Sequence, residues 1–274
     1  MKKWMSILLL VVALSSAYGQ DAGVSRQVNN HGVRINYRVY GKGEPMVLIH
    51  GWPSEGRFWQ TFGYVAKLSP DYQLIVPDLR GFGDSASPAD NDYSDRAFAS
   101  DVRAVMDDRG IKSAHIFGFS VGGVVGYELA AGSPERVRSL IVLSLHPYAL
   151  NNESSRTGQF SSGEANLRYW EVDNKVALSP ESRQRLLAWT PEHIRQVIPD
   201  KDDKSERLKA WKGPGLLIAG SKDNRIDKMK QFVESSPNWK FVSLEGLNHG
   251  QVWIRSDLTL PIVQQFLSAL PPSK

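Results

Sequence analysis

The chain contains no cysteine. That excludes disulfides, a cysteine nucleophile, thiolate metal sites and a lipid-carrying cysteine behind a leader, so packing alone must hold the core together. No apolar run approaches the roughly 20 residues needed to span a bilayer. Strong charge is missing too, with 33 basic against 29 acidic residues and no Lys/Arg run longer than two. Such a balance gives no reason to expect a nucleic acid or other polyanion as partner. Internal repeats, low-complexity stretches and the G-x-G-x-x-G and G-K-[ST] phosphate-binding patterns are all absent.

What is present begins with a leader-like segment. Lys2 and Lys3 precede an apolar run from Ile7 to Leu14, and Ala17-Tyr18-Gly19 offers a small-x-small cleavage site before Gln20. Residues 1–19 therefore read as a signal peptide, giving a protein exported to a periplasm or secreted, with no stable membrane anchor after cleavage. Losing that leader leaves 31 basic against 29 acidic residues. The remaining 20–274 are long enough for one domain with a sizeable core.

Short runs rich in Val, Ile and Leu recur at Met46–His50, Gln73–Pro77, Ala114–Phe119, Ser139–Ser144, Gly215–Gly220 and Lys240–Leu244. Bounded by glycine, proline or aspartate, they read as buried parallel strands. Helical patterns lie between most of them, at Glu55–Leu68, Asp95–Asp108, Val121–Ala131, Ile226–Ser235 and Leu260–Leu270, the last with Pro261 near its first turn. The alternation predicts an α/β fold, a mostly parallel sheet with helices on both faces. Ahead of it, Val24–Asn29 and Val33–Val39 flank Asn30-His31-Gly32, a hairpin-like turn. From about 146 to 211 no strand-like run occurs, and Phe160, Tyr169, Trp170, Trp189 and Trp211 punctuate polar sequence. This stretch, inserted after the sixth strand, is expected to be a helical cap over the ligand crevice, with short helices at Arg183–Trp189 and Pro191–Ile198.

Chemistry concentrates in Gly118-Phe119-Ser120-Val121-Gly122-Gly123, directly between a predicted strand and a predicted helix. The bare pattern arises by chance in about one chain in ten of this length, so its context carries the weight. A turn this sharp needs small neighbours beneath a strained serine, and it exposes Ser120 at a helix N-terminus that favours a developing anion. A serine hydroxyl also needs a base. His249, in Leu247-Asn248-His249-Gly250 after the last strand, would reach the same sheet edge. His31 and His193 look like surface residues, His115 lies inside a strand, and His50 and His146 end strands. A carboxylate at a strand end between the two should orient the imidazole. Asp223, after Gly215–Ala219, fits; Asp227 is a rival, but it falls in the following helix. Backbone N–H donors for an oxyanion are expected from Val121, after the serine, and from Trp52 in His50-Gly51-Trp52-Pro53.

From about Val33 onward the chain resembles the α/β-hydrolase family. The resemblance rests on an ordered set of motifs: His50–Pro53, Asp78–Ser85, Gly118–Gly123, Gly220–Asp223 and Asn248-His249. It implies Ser120 as nucleophile, Asp223 as acid, His249 as base, Trp52 and Val121 as oxyanion donors, a Ser, Asp, His chain order, and no metal or organic cofactor. HGWP and PDLRGFGDS are similar to the epoxide hydrolase, haloalkane dehalogenase and perhydrolase branches. Epoxide hydrolases and dehalogenases use an aspartate nucleophile, and Ser120 departs from that. Serine implies an acyl-enzyme and hence a small-molecule ester, lactone or related acyl substrate. Asn248 stands where the family often has glycine. Asp78–Ser85 implies a structural turn. Trp170 of the cap, together with His146 at its start and Trp59 from outside it, is expected to shape the substrate pocket. Perhydrolase or non-haem haloperoxidase-type activity with the same triad, and a catalytically silent binding protein, are the competing readings.

Overall fold

The computed structural model describes residues 23–149, 160–190 and 202–271. The signal-peptide segment and Pro191–Ile198 lie outside the described residues. Eight strands form one sheet in the order β1-β2-β4-β3-β5-β6-β7-β8. They are β1 (Val24–Asn30), β2 (Val33–Tyr40), β3 (Glu44–Ile49), β4 (Tyr72–Pro77), β5 (Ala114–Phe119), β6 (Val137–Leu143), β7 (Gly215–Gly220) and β8 (Trp239–Leu244). β1 and β2 pair antiparallel with their neighbours, and the other pairings are parallel. The β1–β2 turn is His31-Gly32, both at positive φ (49° and 83°), as a tight two-residue hairpin requires.

Because β3, β5, β6 and β7 are covered on both faces, they carry apolar runs rather than alternating, with Glu44, His115, Arg138 and Ser139 as polar exceptions near their starts. One core fills each side of the sheet. The helices are α1 (Arg57–Thr61), α2 (Tyr64–Leu68), α3 (Asp95–Asp108), α4 (Val121–Gly132), α5 (Gly163–Leu167), α6 (Pro180–Leu187), α7 (Ser205–Leu208), α8 (Ile226–Glu234), α9 (Gln251–Ile254) and α10 (Ser256–Ser268). A π-helical turn, Arg168–Asp173, continues α5.

Three helical expectations need correction. Glu55–Leu68 is two short helices, because Gly63 takes φ 83° between α1 and α2. The C-terminal helix begins at Ser256, a turn before the expected start, so Pro261 lies in its interior on the exposed face. There its missing N–H leaves the Asp257 carbonyl to solvent. In the insertion, α6 starts at Pro180, three residues before the expected Arg183, because Ser179 Oγ caps it by accepting from Ser182 N–H at 3.2 Å.

Between β6 and β7 the described residues hold helices and no strand. Side chains tie this insertion to the body at several points. Trp170 Nε1–H donates to Pro53 O at 2.6 Å, Ser182 and Arg185 bond Glu55, Arg185 also pairs with Asp84, and Lys204 meets Asp95 at 2.6 Å. The turn after β4 is held from inside. Fully buried Asp78 accepts from Asn36 Nδ2 (3.0 Å), Arg38 (3.3 Å), Gly56 N–H (2.8 Å) and Asp84 N–H (3.1 Å). Four donors from three segments converge on one carboxylate, a structural role.

Candidate active site

β5 ends at Phe119 and α4 starts at Val121, leaving Ser120 alone to turn the chain, at φ 52° and ψ −115°. For a residue with a Cβ this is a strained conformation. The flanking glycines are required by close approach. A Cβ on Gly118 would overlap the Gly122 carbonyl, and one on Gly122 would overlap the Ile49 carbonyl.

His249 sits in the loop between β8 and α9. Its Nε2 lies 3.0 Å from Ser120 Oγ and its Nδ1 lies 2.9 Å from Asp223 Oδ2. Asp223, in the loop after β7, has a fully buried side chain, whereas the His249 side chain is 26% exposed. Burial would raise the Asp223 carboxyl. The hydrogen bond and charge of His249, the Arg225 N–H (3.0 Å to Oδ1) and the Arg225 guanidinium outweigh that and hold it below the usual carboxylate range. The rival Asp227 is exposed in the first turn of α8. Asn248 fixes the loop reciprocally with Gln251. Asn248 N–H donates to Gln251 Oε1 and Gln251 N–H to Asn248 Oδ1, both at 3.0 Å.

The loop after β3 lies against the elbow, since a Cβ on Gly51 would come within 3.0 Å of Ser120 Cβ. His50 is fully buried, and burial lowers its pKa, so it is neutral. Its Nε2 accepts from Leu79 N–H at 3.0 Å, which leaves Nδ1 protonated to donate to Gly51 O at 2.9 Å. Ser54 Oγ–H donates to the same oxygen at 2.7 Å. Of the expected backbone donors, Val121 follows Ser120 directly and Trp52 follows Gly51, which abuts Ser120, with a cis Trp52–Pro53 bond after it.

A second Ser–His–carboxylate chain runs through the sheet: Ser139 Oγ to His115 Nδ1 at 2.7 Å and His115 Nε2 to Glu44 Oε1 at 2.7 Å. Ser139 is completely buried within β6, away from any turn. The hydrogen-bond chain alone therefore does not single out Ser120; its partial exposure and its place on an elbow set it apart from Ser139.

The expected pocket residues fare differently. Trp59 is fully buried, packed on Tyr64, Phe117 and Trp253 at 4.8–5.0 Å, so it belongs to the core and not to a pocket wall. Trp170, 1% exposed, spends its N–H on Pro53 O and its ring on Phe58 at 4.9 Å, which makes it an anchor of the insertion. His146 is buried beside Val124 and Tyr127 of α4. Burial first, then Lys228 and Arg225, push it down to about 4, so it is neutral there. Missed from sequence was Arg225, whose guanidinium lies 3.3 Å from His249 Nδ1; of the aromatics expected in the cap, Tyr169 has its hydroxyl over Gly250. Burial, foremost, pushes the Tyr169 hydroxyl up to about 12. Arg225 carried a weak signal, standing two residues after the acid. Among the described residues no group of three His, Asp or Glu converges to hold a metal ion, and no helix is long and apolar enough to cross a membrane.

Comparison with known proteins gives the setting. A family model described as the alpha/beta hydrolase fold matches residues 44–222. The chain is 32% identical to soluble epoxide hydrolase of Corynebacterium sp. (strain C12) over 129 residues, 45% of this chain and 44% of that protein, so the match spans under half of that relative's length. It is 34% identical over 207 residues to RutD of Azorhizobium caulinodans, named as a candidate carbamate hydrolase, covering 72% of this chain and 69% of that one. Among solved structures, esterase RhEst1 from Rhodococcus sp. ECU1013 superposes with a TM-score of 0.76 at 26% identity, over 90% of this chain and 99% of that one.

Proposed function

We infer function from one premise: this chain belongs to the α/β-hydrolase fold family. Within it the protein is a serine hydrolase of carboxylic esters or related acyl compounds. The observation that carries this reading is the continuous path Ser120 Oγ–His249–Asp223 ending at a partly exposed serine on a strained elbow.

Ser120 Oγ attacks the substrate carbonyl carbon as its proton passes to His249 Nε2. Asp223, holding the proton on Nδ1 and stabilising the imidazolium, keeps Nε2 free to accept. The carbonyl oxygen becomes an oxyanion held by the N–H groups of Trp52 and Val121, fixed dipoles that need no reorganisation when charge develops. Collapse breaks the C–O bond, and the Nε2 proton leaves with the alcohol. Water, deprotonated by the same nitrogen, then hydrolyses the acyl-enzyme.

Named relatives include an epoxide hydrolase, a carbamate hydrolase candidate and an esterase, and the nucleophile chooses among these chemistries. A serine attacking a saturated epoxide carbon would form an ether that water does not cleave. A serine attacking a carbonyl forms an ester that it does. The test is turnover of a chain-length series of p-nitrophenyl acyl esters by wild type and Ser120→Ala. A fall of roughly a thousandfold or more in the variant is expected. Undiminished turnover in the variant would overturn the reading.

A further inference from the structure

The aromatic rings near the site form two groups, joined where Tyr169 meets Trp170 edge-on at 4.9 Å. One is closed: Phe58, Trp59, Phe62, Trp170 and Trp253 pack edge-on or stacked at 4.9–6.1 Å and are nearly or fully buried. The other is an arc. Tyr169 meets Phe160 edge-on at 4.8 Å, Phe160 meets Trp52 edge-on at 4.8 Å, and Trp52 lies 6.3 Å from Trp189. One end lies at the histidine loop, where the Tyr169 hydroxyl covers Gly250; toward the other, Trp52 follows Gly51, which abuts Ser120, and leads on to Trp189. Trp52, Phe160 and Tyr169 keep part of their surface open. Anchoring the insertion does not require that opening, since Trp170 does it fully buried.

The geometry points to a collar for a flat ring: the preferred substrates are esters carrying an aromatic group in their acyl or alcohol half. This rests on the ester-hydrolase reading above and narrows it. A guest arene presented to rings already arranged edge-to-face continues the series, placing positive ring edges on negative faces. A saturated ring of the same carbon count has no such quadrupole and gains only from apolar area, of which it has more. An ordinary apolar pocket therefore favours the saturated ring and the collar favours the arene, so the two differ in sign.

The experiment compares kcat/KM for methyl phenylacetate with methyl cyclohexylacetate, and for benzyl acetate with cyclohexylmethyl acetate, each divided by its hydroxide-catalysed rate. Wild type should favour the aryl ester in at least one pair by about three- to tenfold. Phe160→Leu should bring that ratio to about one or below, and Phe160→Tyr, which keeps a ring, should restore it. Equal or better turnover of both cyclohexyl esters by wild type overturns the inference while leaving Ser120 chemistry standing. So does a folded Phe160→Leu, checked by circular dichroism, that keeps the aryl preference. If Phe160→Leu does not fold, the wild-type ratios decide alone. No turnover of any ester by folded wild type overturns both readings.

Discussion

The Gly51–Trp52 peptide shows how single atoms prepare the site. Its carbonyl accepts from His50 Nδ1 and Ser54 Oγ, at 2.9 and 2.7 Å. In a trans peptide the N–H points opposite to the C=O, so pinning the oxygen on one side aims the Trp52 N–H at the other. Removing an oxyanion donor outright costs about a hundred- to a thousandfold in kcat. Ser54→Ala removes one of two restraints on such a donor, and a smaller loss is expected, about three- to thirtyfold in kcat with KM little changed. Steady-state kinetics on one ester checks this, and an unchanged kcat would mean that Ser54 does not position the peptide. The positions of Ser120, Asp223 and His249 were legible because each follows a strand whose end the order of elements already located. Trp59 was not, because an indole in the first helix after β3 reads the same whether it turns toward the site or toward Phe117. Arg225 was equally hidden, since its approach to His249 depends on two loops meeting from β7 and β8.

At the scale of elements, strands were easier to place than helices. Runs such as Ile116-Phe117 and Leu216-Leu217-Ile218 are apolar on both faces because helices cover both, and turn residues close each of them. α3 begins at Asp95, as its Ser94 cap dictates, with Ser94 Oγ accepting from Ala97 N–H. Helices failed where one residue carried the decision. Gly63 breaks Glu55–Leu68 by adopting positive φ, and nothing in the apolar spacing announces it. Ser256-Asp257 opens α10 as a polar turn that periodicity passes over. There Thr259 Oγ1–H braces the turn by donating to Val252 O at 2.6 Å. The insertion was legible only as an interruption in the strands, because its described helices are four to eight residues long and take their stability from tertiary anchors to Pro53, Glu55 and Asp95.

For the whole molecule, three buried histidines set an acid limit on stability. Burial lowers His50, His115 and His146, the last to about 4, whereas an unfolded histidine titrates near about 6.5. Between those values the unfolded chain binds more protons than the folded one. The stabilisation is therefore complete above about 6.5 and lost as pH falls toward 4. Urea unfolding at pH 7.5 and 4.5 should show wild type losing more stability than His146→Gln by about 2–3 kcal/mol; equal losses would mean His146 is protonated in the folded state. Among the described residues many serines are present but one stands on an elbow with a base, so the most direct test is reaction with a fluorophosphonate followed by intact-mass measurement and peptide mapping. One adduct, on Ser120, absent in Ser120→Ala and formed far more slowly in His249→Ala, is the expected result. No adduct, or an adduct that persists in Ser120→Ala, would contradict Ser120 as the nucleophile.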